Sequence, residues 1–171
     1  MRGLILYKSN LGSTKAYADW IHNETGYQVE SIPNFTPQHL PGFDPIIIGS
    51  NVRTGFLSAG AWIRRNWPLM SGKRVLLFTV SGTQPNDTGY QYQVLMRSLP
   101  EKIISSTTYL HLPGRFSAGA LPLPQRVVRA LAIRYGKDPS IRQLLGADYD
   151  HVNIENIAPI VAWVRELERQ G

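Results

Sequence analysis

The chain has 171 residues, 43% of them hydrophobic, which matches one well-packed domain spanning 1–171. It contains no cysteine, which excludes disulfides, thiolate catalysis and cysteine-ligated metals. Lys and Arg outnumber Asp and Glu by 18 to 12, a formal charge of +6 with a pI near 9.8, so the surface favours anionic partners.

That charge forms no basic run longer than the pairs Arg64-Arg65 and Lys73-Arg74. No nucleic-acid recognition motif accompanies it, so nucleic acid is not an expected partner. No apolar run approaches the ~18 residues that would cross a bilayer, and the N-terminus leads into a strand-like run without the layout of a signal peptide. The expected location is therefore the cytoplasm, and the N-x-T matches at Asn23, Asn34 and Asn86 are read as chance.

Apolar runs and helix-spaced segments alternate from end to end. Gly3–Tyr7 predicts a first strand and Thr14–Glu24 a helix stopped by Gly26. Tyr27–Ile32 alternates like a more exposed edge strand. Pro33 to Pro45 is rich in proline and is expected to hold at most one turn of helix. Pro45–Gly49, PIIIG, is a run of the kind buried on both faces of a parallel sheet.

Ala59, Trp62, Ile63 and Trp67 share helical spacing, and Pro68 is expected to end that helix. Arg74–Val80 predicts a buried strand. A helix capped by Asn86 or Asp87 should run to Ser98, before Pro100, and Thr107–Leu112 is the fifth strand. Beyond it, Pro122–Tyr135 places Val127, Val128, Leu131, Ala132 and Tyr135 on one face of a basic helix. Asp138-Pro139 through Leu145-Gly146 marks a short extra helix, and Ile157, Ile160, Val161, Val164 and Leu167 are the stripe of the last one.

Strict alternation implies βαβ units and a parallel sheet covered on both faces. Five such strands fit an α/β three-layer sandwich of the flavodoxin-like type, with strand order 2-1-3-4-5. Ligands in such sheets bind outside the carboxyl ends of the strands, at the switch point between strands 1 and 3. Three small, polar, glycine-containing loops are expected there: Ser9, Asn10, Leu11, Gly12, Ser13 and Thr14; then Ser50, Asn51, Val52, Arg53, Thr54 and Gly55; then Ser81, Gly82, Thr83, Gln84, Pro85 and Asn86.

The first loop carries the central expectation. A strand feeding through a tight turn into a helix aims backbone N–H groups at one point, and the helix dipole adds positive charge, so a phosphate suits it. Ser9, Ser13 and Thr14 add hydroxyls, and Gly12 permits close approach of the backbone. The spacing is neither a Walker P-loop nor a dinucleotide fingerprint. A capped helix with no ligand is the plain alternative.

On these residues the loops resemble those of flavodoxins, whose phosphate pattern is roughly [ST]-x-[ST]-G-x-T. Ser9, Gly12 and Thr14 match, whereas Leu11 departs and removes one hydroxyl. Ile48-Gly49-Ser50-Asn51-Val52-Arg53-Thr54-Gly55, the long segment after the fifth strand, and the closing Glu155-Asn156-Ile157-Ala158-Pro159-Ile160 are similar to flavodoxin-type protoporphyrinogen oxidases and to short flavodoxin-domain proteins. The resemblance implies FMN as cofactor, with its phosphate on Ser9–Thr14. The ring would lie between Ser50–Gly55 and Ser81–Asn86, with backbone groups at Asn51, Val52, Gly82 and Thr83 at its edge. The implied activity is an oxidoreductase passing electrons between that flavin and an organic substrate or carrier, a porphyrinogen or a quinone.

The alternative is a flavodoxin-fold binding module, or an electron-transfer flavodoxin whose basic surface docks an anionic partner. Arg53 suits a substrate carboxylate or a surface ion pair. Relatives can carry an aromatic at Thr54, and Phe56 is its nearest substitute. The tryptophans read as packing residues, and the histidines have no metal-ligand spacing. G-x-S-x-G is absent around Ser81, and no paired acids mark a magnesium site. No catalytic residue is assigned, and no metal is expected. The 115–146 segment is a candidate substrate lid or a contact with the inner membrane face.

Overall fold

A computed structural model of the protein describes residues 2–82, 87–116, 127, 130, 131, 133–135 and 148–170. Strand β1, Leu4–Lys8, pairs in parallel with β2, Gln28–Ser31, on one side and β3, Ile46–Arg53, on the other. β3 pairs in parallel with β5, Val75–Ser81, which pairs in parallel with β6, Thr108–Pro113. The order β2-β1-β3-β5-β6 is the expected doubly wound one. Its switch point falls between β1 and β3, because the chain winds outward in both directions from β1.

Side chains alternate across this sheet and divide the core in two. Leu4, Leu6, Ile46, Ile48, Val75 and Leu77 face helices α2, Gly60–Met70, and α3, Thr88–Ser98. Ile5, Ile47, Leu76, Phe78 and Val80 face α1, Ser13–Thr25, and α5, Ala158–Gln170. A short helix α4, Glu101–Ser105, precedes β6. The isoleucine run of β3 is fully buried, and each such side chain contributes about 1.5–3 kcal/mol by leaving water.

The structure corrects the sequence reading at several points. The helix at Ala59 does not end at Pro68 but includes it and runs to Met70. Pro68 lacks an N–H for the Arg64 carbonyl, yet it sits in the last turn, which closes through Ser71 N–H to Trp67 C=O at 2.8 Å. The proline-rich connection forms a 3-10 helix over Pro37–Gly42, longer than the single turn expected, with Leu40 plugged into the core.

The strand begun at Ile46 continues through Ser50, Asn51, Val52 and Arg53, which were expected to be loop. It folds back as β4, Phe56–Leu57, antiparallel to it. The turn uses Thr54 at φ 48° and Gly55 at φ 78°, two left-handed residues of the kind a type I′ hairpin requires. A second, two-stranded sheet joins β7, Arg115–Phe116, to β8, Tyr149–Asp150. Within the expected basic helix, Val127, Leu131 and Tyr135 are helical and exposed rather than packed. The extra helix expected over 138–146 lies outside the described residues.

Candidate functional site

Helix α1 starts directly beyond the carboxyl end of β1, and it starts open. Its N-cap is Gly12 at φ 87°, with no side-chain cap, where Ser, Thr, Asp or Asn would ordinarily supply one. The first helical bond runs from Ala16 N–H to the Gly12 carbonyl at 2.9 Å, so the amides ahead of it face away from the helix. Gly12 N–H donates to Ser9 Oγ at 3.2 Å, which folds the loop back on itself. A Cβ built on Gly12 would meet nothing, so backbone conformation, not space, calls for glycine here.

Thr14, in the first turn, is 1% exposed, and its Oγ1 is buried without a hydrogen-bond partner. A buried hydroxyl left in that state costs about 1–3 kcal/mol. An acceptor arriving at the helix start, such as a phosphate oxygen, would satisfy it. Asn51, at the end of β3 on the α1 side of the sheet, also holds a buried unpartnered oxygen, Oδ1. Two such orphans at the ends of β1 and β3 lie where a doubly wound sheet binds its ligand. The residues therefore fit a phosphorylated cofactor. Ser13 is committed, accepting the Arg115 N–H at 3.3 Å, and Asn10 and Leu11 are exposed.

The second stretch behaves differently. Ser50 is fully buried. Its Oγ accepts Ala59 N–H at 3.0 Å and donates to the Asn51 carbonyl at 3.1 Å, so it supports the start of α2. Thr54 Oγ1 donates to the Arg53 carbonyl at 2.8 Å. Arg53 and Thr54 are exposed, Val52 and Gly55 half-buried, and Phe56 projects beside them at 50% exposure. The hairpin is thus a stiff flap whose hydroxyls serve its own shape.

At the third stretch, Ser81 and Gly82 close β5, whereas Thr83 and Gln84 lie outside the described residues. The helix that follows is self-capped, with Asp87 accepting Tyr90 N–H at 3.0 Å. A carboxylate already occupies the positive end of α3, whereas the start of α1 carries no such cap.

Sequence reasoning missed the β7–β8 ribbon. Tyr149 leans its hydroxyl against Gly82, where any Cβ would overlap it, and its ring stacks on His151 at 5.6 Å between centroids. Burial holds the Tyr149 phenol above its ordinary pKa. Arg115 reaches the same rim from β7. Neither residue carries a local signal, because each arrives through pairing between distant parts of the chain. On the opposite face, Thr79 Oγ1 joins Tyr109 Oη at 2.8 Å and His111 Nδ1 at 3.1 Å. That network lies inside the sheet and ties β5 to β6; burial raises the Tyr109 phenol despite the Thr79 hydrogen bond.

Comparison with known proteins agrees with this architecture. The flavodoxin domain model matches residues 4–124. A search of curated proteins finds no match. Among solved structures, oxidised Flavodoxin 2 from Bacillus cereus is 15% identical, covers 98% of this chain and 99% of its own, and superposes with a TM-score of 0.50. A flavodoxin from the domain Archaea, 15% identical, covers 95% and 99% with a TM-score of 0.44. An FMN-dependent NADH-azoreductase from Bacillus anthracis, in complex with FMN, is 8% identical and covers 85% and 97% with a TM-score of 0.45. With a family match over most of its length and the doubly wound sheet in place, the chain belongs to the flavodoxin domain family.

Proposed function

We propose that the chain binds FMN at the carboxyl rim of its sheet and acts as an oxidoreductase, exchanging electrons between that flavin and an organic substrate or carrier. The observation that carries this reading is the open start of α1, with the buried, unpartnered Thr14 Oγ1 in its first turn. The phosphate falls to Ser9, Asn10, Leu11, Gly12, Ser13 and Thr14, and the ring to the flap of Asn51–Gly55 and the stretch beginning Ser81-Gly82. When bound, the flavin supplies the redox chemistry, and the protein holds and orients it.

Support for FMN rather than another phosphorylated ligand comes from family membership over residues 4–124. A porphyrinogen or a quinone remains the proposed partner class, by the resemblance of the 48–55 stretch, and the cytoplasm or the inner membrane face the proposed location. Titration of the purified chain with FMN, followed by quenching of flavin fluorescence, tests the reading. Saturable binding at micromolar concentration is expected, and no binding of FMN or riboflavin overturns it.

A second reading is favoured by one observation, the internal saturation of Ser50 and Thr54. A binding module that has kept the fold but not the cofactor would have such a flap, and the same titration separates the two.

A further inference from the structure

The cations next to the phosphate loop in sequence are engaged or directed elsewhere. Lys15 is engaged with Asp19 at 2.6 Å, which holds its ammonium above the ordinary pKa. Lys8 ends β1 on the alternation that faces α2 and α3, the side away from α1. Among the described residues, Arg115 approaches the start of α1, from a part of the chain that local sequence could not connect with it. Its backbone N–H donates to Ser13 Oγ, so its Cα is anchored against the residue that opens the helix. Its side chain is 39% exposed, and its guanidinium meets Asp150, across the β7–β8 ribbon, at only 3.8 Å, too long for a direct hydrogen bond.

We propose that Arg115 is the phosphate-recognising cation of this site, the residue by which the chain distinguishes a phosphorylated flavin from its dephosphorylated form. The inference rests on the flavin reading above. A planar guanidinium offers paired donors to phosphate oxygens, and the loose Asp150 contact keeps it near the rim without consuming those donors. Backbone amides of α1 and Thr14 Oγ1 address one side of the phosphate, and Arg115 addresses it from the ribbon. Asp150 then has a defined opposing effect, because its carboxylate competes with the phosphate for the same cation.

The test is a fluorescence titration of the full chain, and of Arg115→Gln and Asp150→Asn, with FMN and with riboflavin. Arg115→Gln is expected to lose about tenfold in FMN affinity, the scale of one partly exposed charge-assisted contact, while riboflavin affinity stays within about twofold. Asp150→Asn is expected to leave riboflavin unchanged and to hold or raise FMN affinity, since it frees the guanidinium. The Arg115→Gln deficit should shrink as salt rises toward 1 M, where screening acts over about 3 Å.

If Arg115 only braces the ribbon through Asp150, both variants will weaken FMN and riboflavin alike, and the inference is overturned while the flavin reading stands. Unchanged FMN affinity in Arg115→Gln overturns it equally. A natural chain that takes up neither flavin overturns the reading itself, and Arg115 with it. Should Arg115→Gln fail to fold, the Asp150→Asn arm still decides, because a bracing role predicts that it loses affinity for both flavins.

Discussion

The loop at Ser9–Thr14 and the flap at Ser50–Gly55 have similar compositions, yet one hydroxyl in each, Thr14 and Ser50, is spent in opposite ways. In the first, α1 starts without a cap and Thr14 Oγ1 is buried with no partner. In the second, Ser50 and Thr54 close bonds within the chain, and the backbone is stiffened by a hairpin. A run of serine, threonine and glycine therefore identifies a rim, but only the bonding pattern shows which part of it can receive an anion. Ser50 resembles Thr14 in sequence and differs from it in bonding: one hydroxyl is paired within the fold and the other is buried with no partner.

The strongest way to break this comparison is Gly12→Val. A β-branched residue at φ 87° carries about 1–3 kcal/mol of backbone strain, concentrated where the phosphate would sit. FMN affinity should fall by about ten- to a hundredfold in a fluorescence titration, with most of the fold retained by circular dichroism. Retained affinity would show that the loop is not the anion site.

Ser50→Ala should do the reverse. Leaving the buried Ala59 N–H unpaired costs about 1–3 kcal/mol, read as a lower urea midpoint at constant slope, while FMN affinity stays within about twofold of the natural chain. Thr14→Ala sharpens the contrast. It removes an unpartnered hydroxyl, so the free chain should be no less stable to urea, yet FMN affinity should drop about tenfold through the loss of one charge-assisted bond. If Thr14→Ala destabilised the chain as Ser50→Ala does, the two hydroxyls would be equivalent and the comparison would collapse.

The smallest effect lies at the far end of the strands, outside both loops. Asp44 is partly desolvated, but hydrogen bonds and charge from Arg74 outweigh this and hold its carboxyl below the ordinary value. A lowered folded pKa stabilises the fold above the ordinary carboxylate range, and that contribution fades as pH falls through the folded value. The pair is well exposed, so Asp44→Asn should cost about 0.5 kcal/mol at neutral pH and nothing in strong acid. Thermal melts of both chains from pH 7 to pH 2 would show their midpoints converging.

The layered core was legible in the sequence because period-two and period-3.6 patterns are local. PIIIG predicts a doubly buried strand, and Gly26 marks the end of α1 with its N–H on the His22 carbonyl. Asp87 was equally readable as a cap. The flap was not, because a type I′ turn is ordinarily announced by Asn-Gly or Asp-Gly, whereas Thr54-Gly55 gives half that signal. β7 and β8 were invisible for another reason. Two-residue strands have no periodicity, and their pairing joins Arg115 to Asp150 and Phe116 to Tyr149. The strand–loop–helix at Ser9–Thr14 was thus foreseen, while Arg115 and Tyr149, which reach the same rim, depend on tertiary structure alone.

The exit of β6 is a mechanical junction. Within three consecutive residues, the Pro113 carbonyl accepts a hydrogen bond from the Tyr17 hydroxyl at 2.7 Å, Gly114 N–H donates to the Ser81 carbonyl at 2.8 Å, and Arg115 N–H donates to Ser13 Oγ. Like a rivet through overlapping plates, this tripeptide pins a helix, a central strand and the outlying ribbon at one point. Amide exchange at Gly114 and Arg115 should consequently keep pace with the slowest protons of β5 and not with surface connections, and any force that pries the ribbon loose will be felt at once by the first turn of α1.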